Sequence, residues 1–436
     1  MNKLRIILPL GLGLVLLFGE VRCYKIKVLV SNRGIKFWLV EDEDTPLVQV
    51  MVSFKNVGTA HQEKGKTGIP EFFSHAIFCG SGKYSKSKFA QKCSQISSTM
   101  SCRAEFDYLR FALCAPKIVL NKAIPLFNTL ITQPNFEEDK VKIIQNGIVY
   151  SMFNYAANSF ETAFFSIIPA IIFKLHPYGN GQFGSPQDFM ALTIEDLRKY
   201  KESLSITDAD VCVCGNITEN EARDLVDKVF ARVKSGTPTI DSVKDVGPLL
   251  TPQVKRYYVE GPQSSMFFAL KSEPPRSKSR WIAEILHKIL GKGNVFKGRI
   301  LHELRTQRGL IYSGTVYPVD YVHSSYLLGF LQTDNSNVQR VIELLKDIIR
   351  DLRENGITEE ELIFAKRNLK GSLLISLRNS ESLCNFFFHK KRQGFGPTIL
   401  EDTIAQIDRV KLPEVNALAK ELNEDMCFIV MGGAKE

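Results

Sequence analysis

Glu71, Ser74 and His75 lie together in one short stretch, GKTGIPEFFSHAIFCG, from Gly65 to Gly80. On a helix, residues i and i+4 share a face, so the Glu71 carboxylate and the His75 imidazole sit one turn apart on the same side. Both are metal-ligand types. A metal needs a third ligand, and none of the 7 histidines makes a His-x3-His pair. Ser74, between the two, carries a hydroxyl that is neutral at working pH and a poor general base. The stretch therefore offers ligand chemistry without the group that would activate a water. Pro70 suits the first turn of such a helix.

A second constellation lies in RTQRGLIY, where Arg305 is followed by Tyr312. An arginine supplies forked donors on a permanent charge, and a tyrosine hydroxyl can stabilise a developing oxyanion. Other chemistry is disfavoured. CGSGK, Cys79 to Lys83, superficially matches a phosphate loop, but Ile77 stands where the first glycine belongs and Tyr84 replaces Ser/Thr. Gly291 and Gly293 follow a helical pattern instead of a strand, which disfavours a dinucleotide fingerprint. No nucleophile elbow is present.

These residues need a scaffold. With 436 residues the chain is long enough for two domains, and 44% apolar with 24% charged residues is an ordinary globular balance. The net charge of +9 comes from scattered Lys and Arg with no basic run interleaved with aromatics, so no nucleic-acid partner is expected. Lys3 and Arg5 precede an apolar run from Ile6 to Phe18, which suits a secretory signal peptide over residues 1–23, cut before Tyr24. An uncleaved anchor is the alternative; Arg22 argues against lipid attachment at Cys23. The leader lacks the Arg/Ser-rich character of a transit peptide, so export to a bacterial periplasm is expected, with no transmembrane segment in the mature chain. Cysteines form no Cys-x-x-Cys. Cys212 and Cys214 share one face of an apolar strand, VCVCG, and Cys427 sits in a similar one; all three read as buried thiols.

Strands are expected at Val48–Phe54, Tyr108–Cys114, Asp210–Cys214, Met266–Leu270 and Cys427–Met431. Val338, Val341, Ile342, Leu345, Ile348, Ile349 and Leu352 form one helical stripe, with Asn337 as cap and Gly356 past the end. Thr358 with Glu361, and Thr218 with Glu221, make capping boxes. The capping role accounts for Thr218 without glycosylation at Asn216. A short helix, then VCVC and Gly215, is echoed by a short helix, then CFIVM and Gly432. This repeat points to an α+β chain of two homologous domains, each a mainly antiparallel sheet with helices packed on one face. The polar stretch 234–253 reads as the linker, leaving domains at 24–233 and 254–436.

The chain resembles the pitrilysin/insulinase zinc peptidases, in the branch with mitochondrial processing peptidase and bacterial two-subunit homologues. NRGIKFWLVEDEDTPLVQVMVSFKNVG is similar to the first hairpin, and GKTGIPEFFSHAIFCGSGKYS to the frame of the zinc helix. LGKGNVFKGRILHELRTQRGLIYSG is similar to the Gly-rich turn, long helix and Arg/Tyr motif. The family's helix reads His-x-x-Glu-His, two zinc ligands around a catalytic glutamate. The resemblance places the first histidine on Glu71, the glutamate on Ser74 and the second histidine on His75. The distal glutamate ligand falls on Asn146 and Gly147 in VKIIQNGIVYSM, with Glu137 and Glu138 out of frame. It implies one half of a clamshell that binds no metal or other cofactor itself. Its zinc-bearing homologous partner would hold the zinc, and Arg305 and Tyr312 would position an extended peptide substrate. The alternative is a catalytically inert scaffold or peptide-binding protein of the same fold.

Overall fold

Two runs that are apolar on both faces set the core of the first sheet. LVQVMVSFK forms β3 (Leu47–Lys55), buried from Val48 to Phe54, and ADVCVCG forms β6 (Ala209–Gly215), buried from Asp210 onward. The computed structural model describes residues 24–153, 163–237, 239–293, 297–424 and 426–433; the leader expected at 1–23 lies outside the described residues. Around these two strands lie β1 (Ile26–Val30), β2 (Lys36–Glu41), β4 (Thr99–Ala104) and β5 (Tyr108–Pro116). The second sheet contains β7 (Gln253–Tyr257), β8 (Gln263–Lys271), β9 (Ile311–Asp320), β10 (Ser325–Asp334) and β11 (Cys427–Met431).

The first sheet has the order β1-β2-β6-β3-β5-β4 and the second β7-β11-β8-β10-β9. Every pairing is antiparallel except β2 with β6 and β7 with β11. Without β1, the second order reproduces the first, β11 matching β6 and β8 matching β3. The repeat legible in VCVCG and CFIVM is thus a repeat of a whole sheet, and the chain is α+β with two related halves.

Seven helices matter for the site. They are α1 (Ile69–Ala76), α2 (Glu138–Phe153), α3 (Glu219–Val229), α4 (Arg280–Leu290), α5 (Val338–Asn355), α6 (Glu359–Ser376) and α7 (Ser380–Arg392). Both expected capping boxes are present, Thr218 with Glu221 on α3 and Thr358 with Glu361 on α6. Asn337 departs from expectation. It ends a 3-10 turn, Asn335–Asn337, and its side chain caps nothing on α5.

Each sheet carries its own half's main helices on one face, as expected, and its opposite face is covered by the other half. On β6, Val211 and Val213 join Phe72 and Phe73 of α1 in one core, while Cys212 and Cys214 join Leu383 and Phe387 of α7 in another. The second half thus sends α7 to the outer face of the first sheet. The exchange is reciprocal. On β8, Phe268 and Leu270 face Ile285 of α4 and Leu345 of α5, whereas Phe267 and Ala269 pack on Ile168, Ile171 and Ile172 from the first half. A strand that is apolar on both faces must bury both, and here each half supplies the other's second layer.

From 239 to 252 the chain between the sheets forms neither helix nor strand. It is strapped to both halves: Asp241 pairs with His61 (3.2 Å) and His323 (2.9 Å), and the Leu249 amide donates to the Ile172 carbonyl (2.7 Å). Among the described residues, no helix is long and apolar enough to cross a membrane.

Candidate functional site

Helix α1 starts abruptly because Gly68 precedes it at φ 91°, a left-handed conformation that favours glycine. A Cβ there would come within 2.3 Å of the Phe183 carbonyl oxygen. Phe72 and Phe73 then anchor the helix, with ring centroids 5.3 Å from Phe189 and 5.0 Å from Tyr200. That leaves Glu71 and His75 on the remaining face, beside the edge strand β4.

The two side chains meet each other. His75 Nε2 lies 3.0 Å from Glu71 Oε1. Glu71 is buried, and its Oε2 accepts a 2.7 Å hydrogen bond from Gln182 Nε2, which also donates to the Ala104 carbonyl at 3.2 Å. Ser74 Oγ donates back to the Glu71 carbonyl at 2.9 Å. The hydrogen bond to Glu71 raises the His75 pKa above its ordinary value, against an opposing push from burial. Cys102, on β4, is pushed well up by burial, with the Glu71 charge adding to the effect.

Zinc does not fit this set. Glu71 uses one oxygen on His75 and the other on Gln182, and Ser74 is turned to the backbone. Gly147, on α2, has no side chain, and a Cβ built there meets nothing within 4 Å. Glu137 is engaged at the Lys86 amide (3.0 Å), and Glu138 opens α2. Among the described residues, the one group of three metal-ligating side chains close enough to share an ion lies elsewhere, at Cys212, Cys214 and Cys384.

Arg305 and Tyr312 belong to the other half. Arg305 sits in a short π-helical turn, His302–Thr306, and Tyr312 near the start of β9, an edge strand. Gly309 joins them at φ 63°, and the Leu310 amide closes the turn on the Leu304 carbonyl at 2.8 Å. Arg299 fastens the preceding segment, donating to Glu361 Oε1 and the Gly356 carbonyl, both at 2.7 Å. The Tyr312 hydroxyl donates to Asp334 Oδ2 at 2.9 Å, which raises its pKa. Both side chains are at the surface, Tyr312 being 49% exposed.

A cavity of about 920 Å³ lies between the halves, lined by Phe106, Phe165 and Gln182 from the first and Pro274, Tyr317 and Tyr321 from the second. Gln182 thus connects the Glu71–His75 pair to this space, whereas Arg305 and Tyr312 do not line it. Asp107 holds the junction. Its Oδ1 accepts from the Tyr178 hydroxyl (2.8 Å) and its Oδ2 from the Val322 amide (2.9 Å), while the His323 amide donates to Tyr178 Oη (3.0 Å). Neither Gln182 nor Asp107 emerges from the sequence reading. Gln182 had one faint signal, the glycines at 181 and 184, which take left-handed φ values of 69° and 68° around it.

Comparison with known proteins agrees with this geometry. The family description "Insulinase (Peptidase family M16)" matches residues 36–185, and "Peptidase M16 inactive domain" matches residues 191–369. The chain is 22% identical over 406 residues to the uncharacterized zinc protease YmxG of Bacillus subtilis, covering 91% of this chain and 95% of that protein. It is 21% identical over 412 residues to the non-peptidase homolog YmxG of Helicobacter pylori, covering 91% of each. Its fold is similar to a peptidase M16 inactive domain from Pseudomonas fluorescens, with a TM-score of 0.84 at 20% identity over 94% of this chain and 98% of that one. A protease from Helicobacter pylori shares the fold at a TM-score of 0.79 and 18% identity, over 94% of this chain and 100% of that one. With the two family descriptions accounting for most of residues 36–369, the chain belongs to the insulinase (M16) peptidase family, its second half matching the description of the inactive domain.

Proposed function

We propose that this chain is the non-catalytic subunit of a heterodimeric zinc metallopeptidase, exported to a bacterial periplasm, that positions an extended peptide for a homologous zinc-bearing partner. One contrast carries the reading. The Glu71 carboxylate is closed off by His75 and Gln182, while Arg305 and Tyr312 lie at the surface on either side of a turn closed by the Leu310 amide. An arginine fork and a phenol suit a peptide carbonyl that develops negative charge. On binding, the Tyr312 hydroxyl would exchange Asp334 for that oxygen. β4 and β9 are sheet edges, β9 being bridged by Lys292 at Val316, and an extended peptide can add as a strand to such an edge. The metal and the base that activates water belong to the partner.

The test is peptide hydrolysis by the chain alone, by a zinc-bearing homologue alone, and by the two mixed. Full activity is expected only in the mixture, and a chelator should abolish it. Chelator-sensitive cleavage by this chain alone contradicts the proposal. Stable association without any gain in activity would favour a scaffold or peptide-binding role.

A further inference from the structure

Three cysteines that the peptidase reading leaves unused converge between the halves. Cys212 and Cys214 point from β6 toward α7, and Cys384 points from α7 toward β6, where all three are fully buried. Their sulfurs lie within 4.8 Å of one another, with Cys212 and Cys214 at 3.8 Å, and all three are free thiols. Met51 stands directly opposite Cys212 in the β3–β6 register and belongs to the same cluster. Cys384 is brought there by the exchanged helix, so the cluster exists only when α7 is docked on the first sheet.

From this geometry we infer a buried copper(I)-class site formed by Cys212, Cys214 and Cys384, which locks the second half's helix α7 to the first half's sheet. A metal–sulfur bond of about 2.3 Å sets the sulfurs of a trigonal site about 4.0 Å apart, close to the 3.8 Å between Cys212 and Cys214 and inside the 4.8 Å that bounds all three. Three soft thiolates with a thioether nearby select Cu(I). Zinc would want a fourth ligand in tetrahedral array or an open water position, and this buried, apolar site holds no fourth His, Cys or carboxylate among the described residues. Each thiol loses its proton to solvent as its sulfur–copper bond forms, and copper stays in the +1 state.

The experiment offers reduced full-length protein Cu(I) as its bicinchoninate complex, anaerobically, both to the folded chain and during refolding from denaturant. One copper should be retained per chain after desalting, with a near-ultraviolet thiolate-to-copper band, X-ray absorption showing sulfur ligands, and a higher melting temperature. Cys384→Ser and Cys212→Ala should each lose that copper, whereas Cys79→Ser and Cys427→Ser should keep it. Retention of no copper by wild type under either loading condition overturns the proposal. So does equal retention by Cys384→Ser, or a Cys212–Cys384 disulfide in the protein as purified. Should Cys384→Ser fail to fold, the copper-induced melting shift of wild type, set against that of Cys79→Ser, decides the matter.

Discussion

Asp107→Ala should uncouple the two halves. Asp107 is buried, and its two oxygens hold two donors, the Tyr178 hydroxyl and the Val322 amide of the β9–β10 turn. Truncation strands both. Stranding the buried Tyr178 hydroxyl costs about 1–3 kcal/mol, and the Val322 amide, on a half-exposed residue that water can reach, adds a smaller loss. Asp107→Asn should cost less than alanine, because its carbonyl can still accept from the Tyr178 hydroxyl. Burial also raises the Asp107 pKa, so at neutral pH the native charge works against folding, and the amide relieves that. The loss falls on docking, since Asp107 and Tyr178 lie in the first half and Val322 in the second. The 2 tryptophans give two vantage points, Trp281 on α4 against the second half's core and Trp38 on β2 at the junction where α7 packs. In urea, single-tryptophan forms of the wild type should unfold together. In Asp107→Ala the two transitions should separate and fall by on the order of 1 M, given slopes of a few kcal/mol per M. Superimposable wild-type and Asp107→Ala curves would refute the argument, as would an Asp107→Asn cost equal to that of alanine.

Other consequences can be checked in turn. His75 has a folded pKa raised by Glu71, so its stabilising contribution is present below about pH 6.5 and is lost as pH rises through the folded value; an NMR titration should show the raised pKa falling back in Glu71→Gln. Glu284 is buried against Arg280 at 2.7 Å and also pairs with Lys292, so Glu284→Ala should cost about 3–5 kcal/mol, measured by chemical denaturation. Gly58→Ala would place its Cβ 2.4 Å from the Phe106 carbonyl oxygen and the Tyr108 amide nitrogen. That backbone cannot yield as a side chain would, and a loss of about 1–3 kcal/mol is expected in the same assay.

Local patterns carried much of the fold. The apolar runs of β3, β6, β8 and β11 are visible as strands, and the stripe of α5 and the capping boxes of α3 and α6 are set by neighbours a few residues away. The Arg305–Tyr312 turn is equally local, closed by Gly309. What escaped were long-range pairings. Cys384 reaches Cys212 and Cys214 only because α7 crosses to the opposite half, and nothing in SESLCNFFFHKKR states which sheet it covers. Gln182 reaches Glu71, and Asp107 reaches Val322, across similar distances in sequence. The β9–β10 hairpin was also missed. β9 mixes exposed tyrosines and polar residues with buried ones, as an edge strand does, and β10 is largely buried, its apolar run broken at Gly329. Asn337 misled because an asparagine before an apolar stripe has the composition of a cap, while here the chain enters α5 through a 3-10 turn.

Kinetics of the reconstituted pair with Arg305→Ala most directly tests the central claim. If Arg305 holds a substrate carbonyl beside the partner's metal, kcat should fall by about 10²–10³, with the two subunits still co-eluting and the partner's zinc content unchanged. Undiminished kcat in an intact Arg305→Ala complex would contradict the account.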